Sequence, residues 1–392
     1  MPAKAALPSL LSRRSRQLRS FIAMDVLEKS QGMAQLGHDV ISFSVGEPDF
    51  PAPKAVKAAA IQALRRDFTK YTHSLGLPAL REAICKHYRK RYGVAIHPDQ
   101  VLVTAGTSPA MLLLFGALLE PGEEVVLSDP HYPCYANFLR FAGGRPAFVR
   151  GREAEGFQLN PEAVKKKLRR RTKAILINSP GNPTGTLLDA KAMKALAGMG
   201  KYVISDEIYH GLTYEGEERS ILEFTDRAFV LNGFSKAYAM TGFRLGWCIF
   251  PRALSKVFQN MAQNFYISTS GFVQAAGIAA LTKTDKEREA MRRTFQERRR
   301  VMLEGVKRLG FGVAAEPGGA FYVFANAKHY TRDSHRFAFD ILEKAKVGIT
   351  PGIDFGPSGE GYVRFSYATD VKKIRKGLGR IEEYLRKRKL LA

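Results

Sequence analysis

A lysine flanked by anion-binding side chains is the part of this 392-residue sequence best equipped for chemistry. Lys236 directly follows Ser235 and precedes Arg244 by eight residues. A lysine amine acts as a nucleophile only after it loses its proton, which requires a desolvated or positively biased surrounding. The hydroxyl and guanidinium groups suit an anion such as phosphate. A Ser-Lys pair alone would more simply belong to a surface loop, so the interpretation depends on the other segments.

Two further polar segments each follow a short β-type run. Asn182 lies in a turn rich in Pro and Gly, Asn178–Gly185, which can present its amide. Asp206 and Tyr209 follow the second run and add a carboxylate and a phenol. The intervening Glu207 is expected to make a structural ion pair.

The turn Thr104–Pro109 leads from a β-type run into an apolar helix. Free amides and the dipole at a helix N-terminus favour an anion, and Gly106, Thr107 and Ser108 lie at that position. Pro109 is suited to the first helical turn. Thr107 or Ser108 could simply cap the helix, and capping is compatible with anion binding.

Short apolar strands alternate with helices over residues 98–250. The predicted strands are Val101–Thr104, Glu124–Leu127, Ala174–Ile177, Tyr202–Ser205, Ala228–Leu231 and Leu245–Phe250, and Ala110–Leu119 is a predicted helix. This alternation predicts an α/β fold with a mainly parallel sheet covered on both faces. Ligands bind beyond the carboxyl ends of such strands, where the polar segments lie.

The C-terminal part predicts a smaller α+β unit. A long charged helix over 285–309 is followed by strands at Phe321–Phe324 and Tyr362–Phe365. Helices are predicted at 334–346 and 370–388.

The segment SKAYAMTGFRLGW resembles the lysine segment of fold-type I pyridoxal-phosphate enzymes, the class I/II, aspartate-aminotransferase-like aminotransferases. The other segments match in the family's order and spacing, from about Leu11 to Leu385. Ser179 is a departure, since it stands where the family's turn usually has its first Asn. The resemblance implies a large cofactor-binding domain over 51–290 and a small α+β domain over 291–392. Residues 1–50 would form an N-terminal arm and part of the small domain.

The resemblance implies that pyridoxal 5'-phosphate is carried on Lys236 through a Schiff base. Asp206 would keep the ring nitrogen protonated, so that the ring becomes an electron sink. Tyr209 and Asn182 would bind the ring oxygen, and Tyr132 would stack on the ring. The phosphate would be held by Gly106, Thr107, Ser108, Ser235 and Arg244.

The same resemblance implies ping-pong transfer of an α-amino group between an amino acid and a 2-oxo acid, with Lys236 as the base. Arg364 and Asn182 would bind the α-carboxylate, and Gly46 would belong to a mobile loop that helps close the site. Tyr71 resembles the tyrosine that reaches the partner's phosphate, which implies a homodimer.

Substrate choice and reaction type keep alternatives open. Aspartate-preferring relatives can carry a lysine in the turn where this chain has Ser108, and small hydroxyl residues in the arm where it has 20–23. We therefore expect an apolar or broad range, with glutamate or alanine as candidate donors. A carbon–sulfur β-lyase or an aminocyclopropane-carboxylate synthase would use the same lysine and aspartate. A DNA-binding regulator with this fold is a remote alternative.

Composition adds constraints on partners and compartment. The chain has 61 Lys+Arg against 37 Asp+Glu, a formal charge of +24, but its basic runs are scattered and lack the aromatic alternation of a stacking platform. We therefore expect no specific nucleic-acid partner.

No apolar run is long enough for a membrane span. Three widely separated cysteines, Cys85, Cys134 and Cys248, form no metal pair and favour a reducing, cytoplasmic setting. Residues 1–20 read as a basic arm or, alternatively, a transit peptide.

Overall fold

The computed structural model describes residues 11–391. The predicted basic arm thus falls partly outside the described residues. The strands are β1 Ile41–Ser42, β2 Val101–Thr104, β3 Glu124–Asp129, β4 Arg145–Arg150, β5 Thr172–Asn178, β6 Tyr202–Asp206, β7 Ala228–Gly233, β8 Gly246–Ile249, β9 Tyr322–Asn326, β10 Val347–Gly348, β11 Thr350–Pro351 and β12 Tyr362–Ser366.

Thirteen α-helices are assigned within the described range. They are α1 Arg13–Arg16, α2 Ile22–Gln35, α3 Lys54–Arg65, α4 Pro78–Tyr92, α5 Thr107–Leu118, α6 Cys134–Phe141, α7 Pro161–Lys167, α8 Ala190–Ala197, α9 Ser255–Phe265, α10 Gly271–Lys283, α11 Asp285–Arg308, α12 Ser334–Ala345 and α13 Val371–Lys387. Between residues 11 and 391, no helix is long and apolar enough to cross a membrane.

A seven-stranded sheet in the order β2-β8-β7-β6-β5-β3-β4 forms the centre of the fold. Strands β3 to β7 pair in parallel, whereas β8 pairs antiparallel with both β2 and β7. Strands β2, β7 and β8 are buried along their whole length, as expected for a sheet covered on both faces. The predicted α/β fold is confirmed.

Register brings the predicted polar residues to one edge of this sheet. Asn178, the last residue of β5, pairs with Asp206, the last residue of β6. Asp206 pairs in turn with Leu231 on β7, five residues before Lys236. The carboxyl ends of three adjacent parallel strands therefore converge on the same place.

The predicted secondary structure needs three corrections. Helix α5 begins at Thr107 rather than Ala110, because Gly106, with φ of +88°, turns the chain directly into the helix. The last predicted strand of the sheet, β8, runs opposite to its neighbours. Strand β4 was not predicted, since the charged ends and proline of Arg145–Arg150 weaken the apolar pattern.

The C-terminal elements form a separate three-stranded antiparallel sheet, β11-β12-β9. Strand β1 pairs in parallel with β10, and the amide of Ser366 donates to the carbonyl of Phe43 at 2.8 Å. Part of the N-terminal segment therefore packs with these C-terminal elements. The division into a large and a small domain at residues 51 and 291 stays a prediction.

Two glycines of α13 provide a matched test of this packing. A Cβ at Gly377 would collide with the ring of Phe43, whereas a Cβ at Gly379 would meet nothing within 4 Å. We expect Gly377→Ala to lower the thermal unfolding midpoint, since overpacking costs roughly 1–3 kcal/mol. Gly379→Ala should raise it slightly, by about the 0.5–1 kcal/mol difference in helix propensity. Equal shifts in the two variants would contradict the placement of α13 against Phe43.

Candidate active site

Lys236 lies in the loop after β7 and lines a cavity of about 350 Å³. Burial, helped by the guanidinium groups of Arg364 and Arg244, lowers the pKa of its amine to about 8, although the carboxylate of Glu47 opposes the shift. At neutral pH an appreciable fraction of the amine is therefore unprotonated. This is the property that a nucleophilic or basic lysine requires.

The backbone around Gly46 covers this amine. The Nζ of Lys236 donates to the carbonyl oxygen of Gly46 at 2.6 Å. A Cβ at Gly46 would collide with the hydroxyl of Tyr322, so a glycine is required for the backbone to approach so closely. On the same segment, the side chain of Glu47 accepts a hydrogen bond from Thr241.

Asp206 lies at the end of β6, deep in the cavity. Its Oδ2 accepts from the hydroxyl of Tyr135 at 2.6 Å, and its Oδ1 accepts from the amide of Ile208 at 3.2 Å. Burial raises its pKa to about 6, and these two hydrogen bonds oppose that shift. The carboxylate is therefore held in a fixed position and is predominantly ionised at neutral pH.

Arg364, on β12, faces the same cavity from the C-terminal sheet. Its guanidinium donates to Asn182 Oδ1 at 2.8 Å, to Thr350 Oγ1 at 3.2 Å and to the carbonyl of Ser44. The group lies 4.3 Å from the ring centroid of Tyr322. Its buried Nε has no hydrogen-bond partner among the described residues.

Two tyrosines and an aromatic pair complete the middle of the cavity. The hydroxyls of Tyr209 and Tyr322 lie 2.9 Å apart, and both side chains are buried. The ring of Tyr132 also lines the cavity and meets Phe21 edge-on, with 5.7 Å between centroids. The cavity thus offers phenol donors and an aromatic wall beside the amine.

The end of the cavity near α5 is built to hold an anion. Thr107 and Ser108 begin α5, where the first amides lack partners within the helix. Ser235 and Arg244 line the same space. A Cβ at Gly106 would lie 2.6 Å from a terminal nitrogen of Arg244, so the glycine allows the guanidinium to approach the turn.

These donors fit pyridoxal phosphate. Two helix amides, hydroxyl groups and a guanidinium suit a phosphate. A fixed, buried carboxylate suits a protonated pyridine nitrogen, and an amine of lowered pKa suits an aldehyde carbon.

Tyr71 and Glu207 do not line this cavity, and neither was expected to act in the site of its own chain. Tyr71 does not line it, and 81% of its surface is exposed, so it does not reach the site of its own chain. Glu207 is buried elsewhere, but hydrogen bonds from Tyr88, Ser220 and the amide of Ile221 hold it. For the expected ion pair, the structure offers Nδ1 of His210, which lies 3.5 Å from a carboxylate oxygen of Glu207. This contact is an ion pair only when the histidine is protonated.

Several cavity residues were missed by sequence reasoning. Tyr135 follows Tyr132 by three residues, so helical spacing could have indicated it. Asn178 ends β5 and lies within the turn motif, and its side chain donates to the Asp206 carbonyl at 2.9 Å. Tyr322 and Glu47 carried no comparable signal.

Comparison with known proteins agrees with this geometry. Residues 38–381 match the family described as aminotransferase class I and II. The chain is 38% identical to the (5-formylfuran-3-yl)methyl phosphate transaminase of Methanocaldococcus jannaschii, over 96% of this chain and all of that protein. It is 39% identical to an aspartate aminotransferase of Pyrococcus horikoshii, over 88% and 91% of the two chains.

A solved structure of an aspartate aminotransferase from Thermus thermophilus with maleate superposes with a TM-score of 0.91. It shares 37% identity and covers 95% of this chain and 99% of its own. These relatives are named as transaminases, which does not favour the lyase alternative. The chain belongs to the class I and II aminotransferase family and is a pyridoxal-phosphate-dependent aminotransferase.

Proposed function

We propose that the cavity performs ping-pong transamination with Lys236 as the cofactor's attachment point and general base. The observation that carries the proposal is that the amine of Lys236, the carboxylate of Asp206 and the guanidinium of Arg364 line one cavity. Each has a distinct task, and each is held by protein contacts that the other two do not make.

The cofactor is assigned to the part of the cavity between α5 and β6. When bound, pyridoxal phosphate supplies an electron sink for the pair left behind as the substrate's Cα loses its proton. The side chain of Asp206 would bind the ring nitrogen, while Asn182 and Tyr209 would donate to the ring oxygen. Tyr132 would cover the ring face, and the phosphate would bind to Gly106, Thr107, Ser108, Ser235 and Arg244.

Proton transfer is assigned to the Nζ of Lys236. With a pKa of about 8, this nitrogen can accept a proton from Cα and later return it. The carbonyl of Gly46 accepts a hydrogen bond from the same nitrogen and so fixes its direction. The surrounding protein excludes water that would otherwise stabilise the charged ammonium form.

The substrate's α-carboxylate is assigned to Arg364 and Asn182. A guanidinium binds a carboxylate through two parallel hydrogen bonds, and the Nε of Arg364 is a buried donor with no described partner. The stacking of this group on Tyr322 limits its rotation. The carboxylate is therefore held in one orientation relative to Lys236.

We further propose that the enzyme is a homodimer in which Tyr71 reaches the partner's phosphate. Tyr71 is exposed and adjoins Thr72, whose amide donates to Ser268 Oγ at 3.1 Å. Near this contact, Phe265 is 68% exposed and Ile267 is 43% exposed. Clustered exposed apolar side chains are typical of a protein interface.

A cytoplasmic location is proposed from the cysteines. Cys85, Cys134 and Cys248 are all unpaired. Burial raises the pKa of the Cys85 and Cys134 thiols to about 11, so they are chemically quiet. This fits a reducing compartment.

The pH dependence of cofactor attachment tests the role of Lys236. In cofactor-free protein, the rate of borohydride-trapped attachment of pyridoxal phosphate at residue 236 should rise with pH through about 8. Exposed lysines should instead require a pH near 10.

Glu47→Gln should move the pH midpoint of Lys236 attachment lower, because the Glu47 carboxylate raises the pKa of this amine. Glu383→Gln, in an exposed pair, is the control. A midpoint above 10, read by peptide mass spectrometry, would contradict the assignment.

Substitution of Arg364 tests the carboxylate site. We expect Arg364→Lys to lower kcat/KM by about two orders of magnitude, because an ammonium cannot make the paired contacts of a guanidinium. The loss should appear mainly in KM, since the contact exists before the reaction begins. Arg375→Lys on the exposed face of α13 should leave both constants unchanged. A loss confined to kcat would remove Arg364 from substrate binding.

Heterodimers test whether Tyr71 acts across the interface. Lys236→Ala should be inactive and Tyr71→Ala weakened. In a heterodimer of the two, purified through different affinity tags, one site keeps both Lys236 and the partner's Tyr71. That dimer should regain the activity of a heterodimer of Lys236→Ala with an unaltered subunit. If Tyr71 served its own chain, activity would stay at the Tyr71→Ala level per site, and a monomer in light scattering would refute the dimer.

A further inference from the structure

One wall of the cavity consists of side chains to which no role in binding cofactor or α-carboxylate has been assigned. Among the lining residues that have no assigned role in binding phosphate, ring or α-carboxylate, one group lies around the start of α2 and on the facing helix: Phe21, Ala23, Met24 and Leu27, with Met111 on α5. All of these side chains are apolar. The wall therefore offers dispersion contacts and a dry surface, but no hydrogen-bond donor from a side chain.

Positive charge in the cavity is already assigned. Among the lining residues of the described chain, the cations are Lys236, Arg244 and Arg364. Lys236 is assigned to cofactor attachment and proton transfer, Arg244 to the phosphate and Arg364 to the α-carboxylate. Glu47 also lines the cavity and would repel a second carboxylate. Within the lining that this chain provides, a dicarboxylic substrate would thus place one charge against apolar side chains, which is costly.

Backbone amides at the start of α2 could have replaced a missing cation, because helix N-termini attract anions. Here they are occupied. The amides of Ile22 and Ala23 donate to the two carboxylate oxygens of Asp354 at 2.9 and 3.0 Å. The amides of Met24 and Asp25 donate to the carbonyl of Phe21.

The hydroxyl of Ser20, just before α2, is also occupied. Ser20 Oγ lies 2.6 and 2.8 Å from the carboxylate oxygens of Asp25 and donates to that group. Two acids, Asp25 on α2 and Asp354 beside it, therefore surround this helix start, and the amides of 22–25 and the Ser20 hydroxyl already donate to groups of the described chain.

We propose that this aminotransferase selects amino acids and 2-oxo acids with a large apolar side chain, aromatic or branched aliphatic, which packs against Phe21, Met24, Leu27 and Met111. The inference rests on the proposed function, because it takes the α-carboxylate to lie at Arg364. Burial of such a side chain favours binding by roughly tenfold or more.

The first test compares donors in a single half-reaction of the cofactor-loaded enzyme. Phenylalanine, leucine, aspartate and glutamate are mixed separately with the enzyme, and the loss of its absorbance near the visible edge gives kcat/KM. We expect phenylalanine or leucine to exceed both acidic donors at least tenfold. Equal or faster reaction with aspartate or glutamate would overturn the proposal. Absence of reaction with every donor would count against the proposed function instead.

Binding of unreactive carboxylates decides the proposal even if no donor reacts. 3-Phenylpropionate and maleate both carry a carboxylate for Arg364, but only maleate has a second one. Calorimetric titration of the loaded enzyme should give at least tenfold tighter binding of 3-phenylpropionate. Equal or tighter binding of maleate would overturn the apolar assignment.

A new cation on the wall should shift the preference toward acidic donors. Met24 is 42% exposed, so Met24→Arg should fold. Its guanidinium would supply the missing partner and raise the aspartate-to-phenylalanine ratio of kcat/KM at least tenfold. Leu36→Arg, just after the far end of α2 and exposed, adds the same charge away from the cavity and should leave the ratio unchanged. A folded Met24→Arg enzyme with an unchanged ratio would contradict packing of the substrate against this wall.

Discussion

The amine of Lys236 is withdrawn from bulk water into a protein cavity, and the rest of the site depends on that constraint. Burial and two nearby guanidinium groups favour the neutral form, while the carboxylates of Glu47 and Asp206 favour the charged form. The first tendency outweighs the second, and the resulting pKa of about 8 lets the same nitrogen release and accept a proton near neutral pH. This pKa is maintained only while the distance from each charged group to the amine stays constant, so the fold must hold each of these groups in place.

The topology of the central sheet provides that precision. Parallel pairing places Asn178 and Asp206 side by side at the ends of β5 and β6. The reversed strand β8 adds a second convergence, because its first residue, Gly246, pairs with Thr104 at the end of β2. Gly106 lies two residues after Thr104 and Arg244 two residues before Gly246, so this single antiparallel pairing brings the arginine to the anion-binding turn.

The site residues that could be predicted from the sequence lie within a few positions of the end of a strand. Lys236, Asp206, Asn182 and Arg244 follow directly from such positions, and the structure brings all four to one cavity. The direction of β8 was not predictable, since a buried strand reads as the same apolar run in either direction. Tyr322 and Asp354 were also missed. Their contacts with Gly46 and with α2 join residues more than 270 positions apart, and no local pattern encodes such pairing.

The segment around Asp354 contacts both the helix that carries the apolar wall and the arginine assigned to the α-carboxylate. The carboxylate of Asp354 holds the start of α2, which carries the apolar wall, and the adjacent Phe355 lies 4.9 Å from the guanidinium of Arg364. The part of the apolar wall on α2 and the guanidinium assigned to the α-carboxylate thus both contact the same short segment, whereas Lys236 and Asp206 lie at the ends of strands of the central sheet. A substrate that makes both contacts would have its Cα positioned by residues that contact this segment, while the proposed base, Lys236, is held at the central sheet. The fit of the side chain therefore bears directly on the distance between Cα and the Nζ of Lys236, and a poor fit should cost rate as well as affinity.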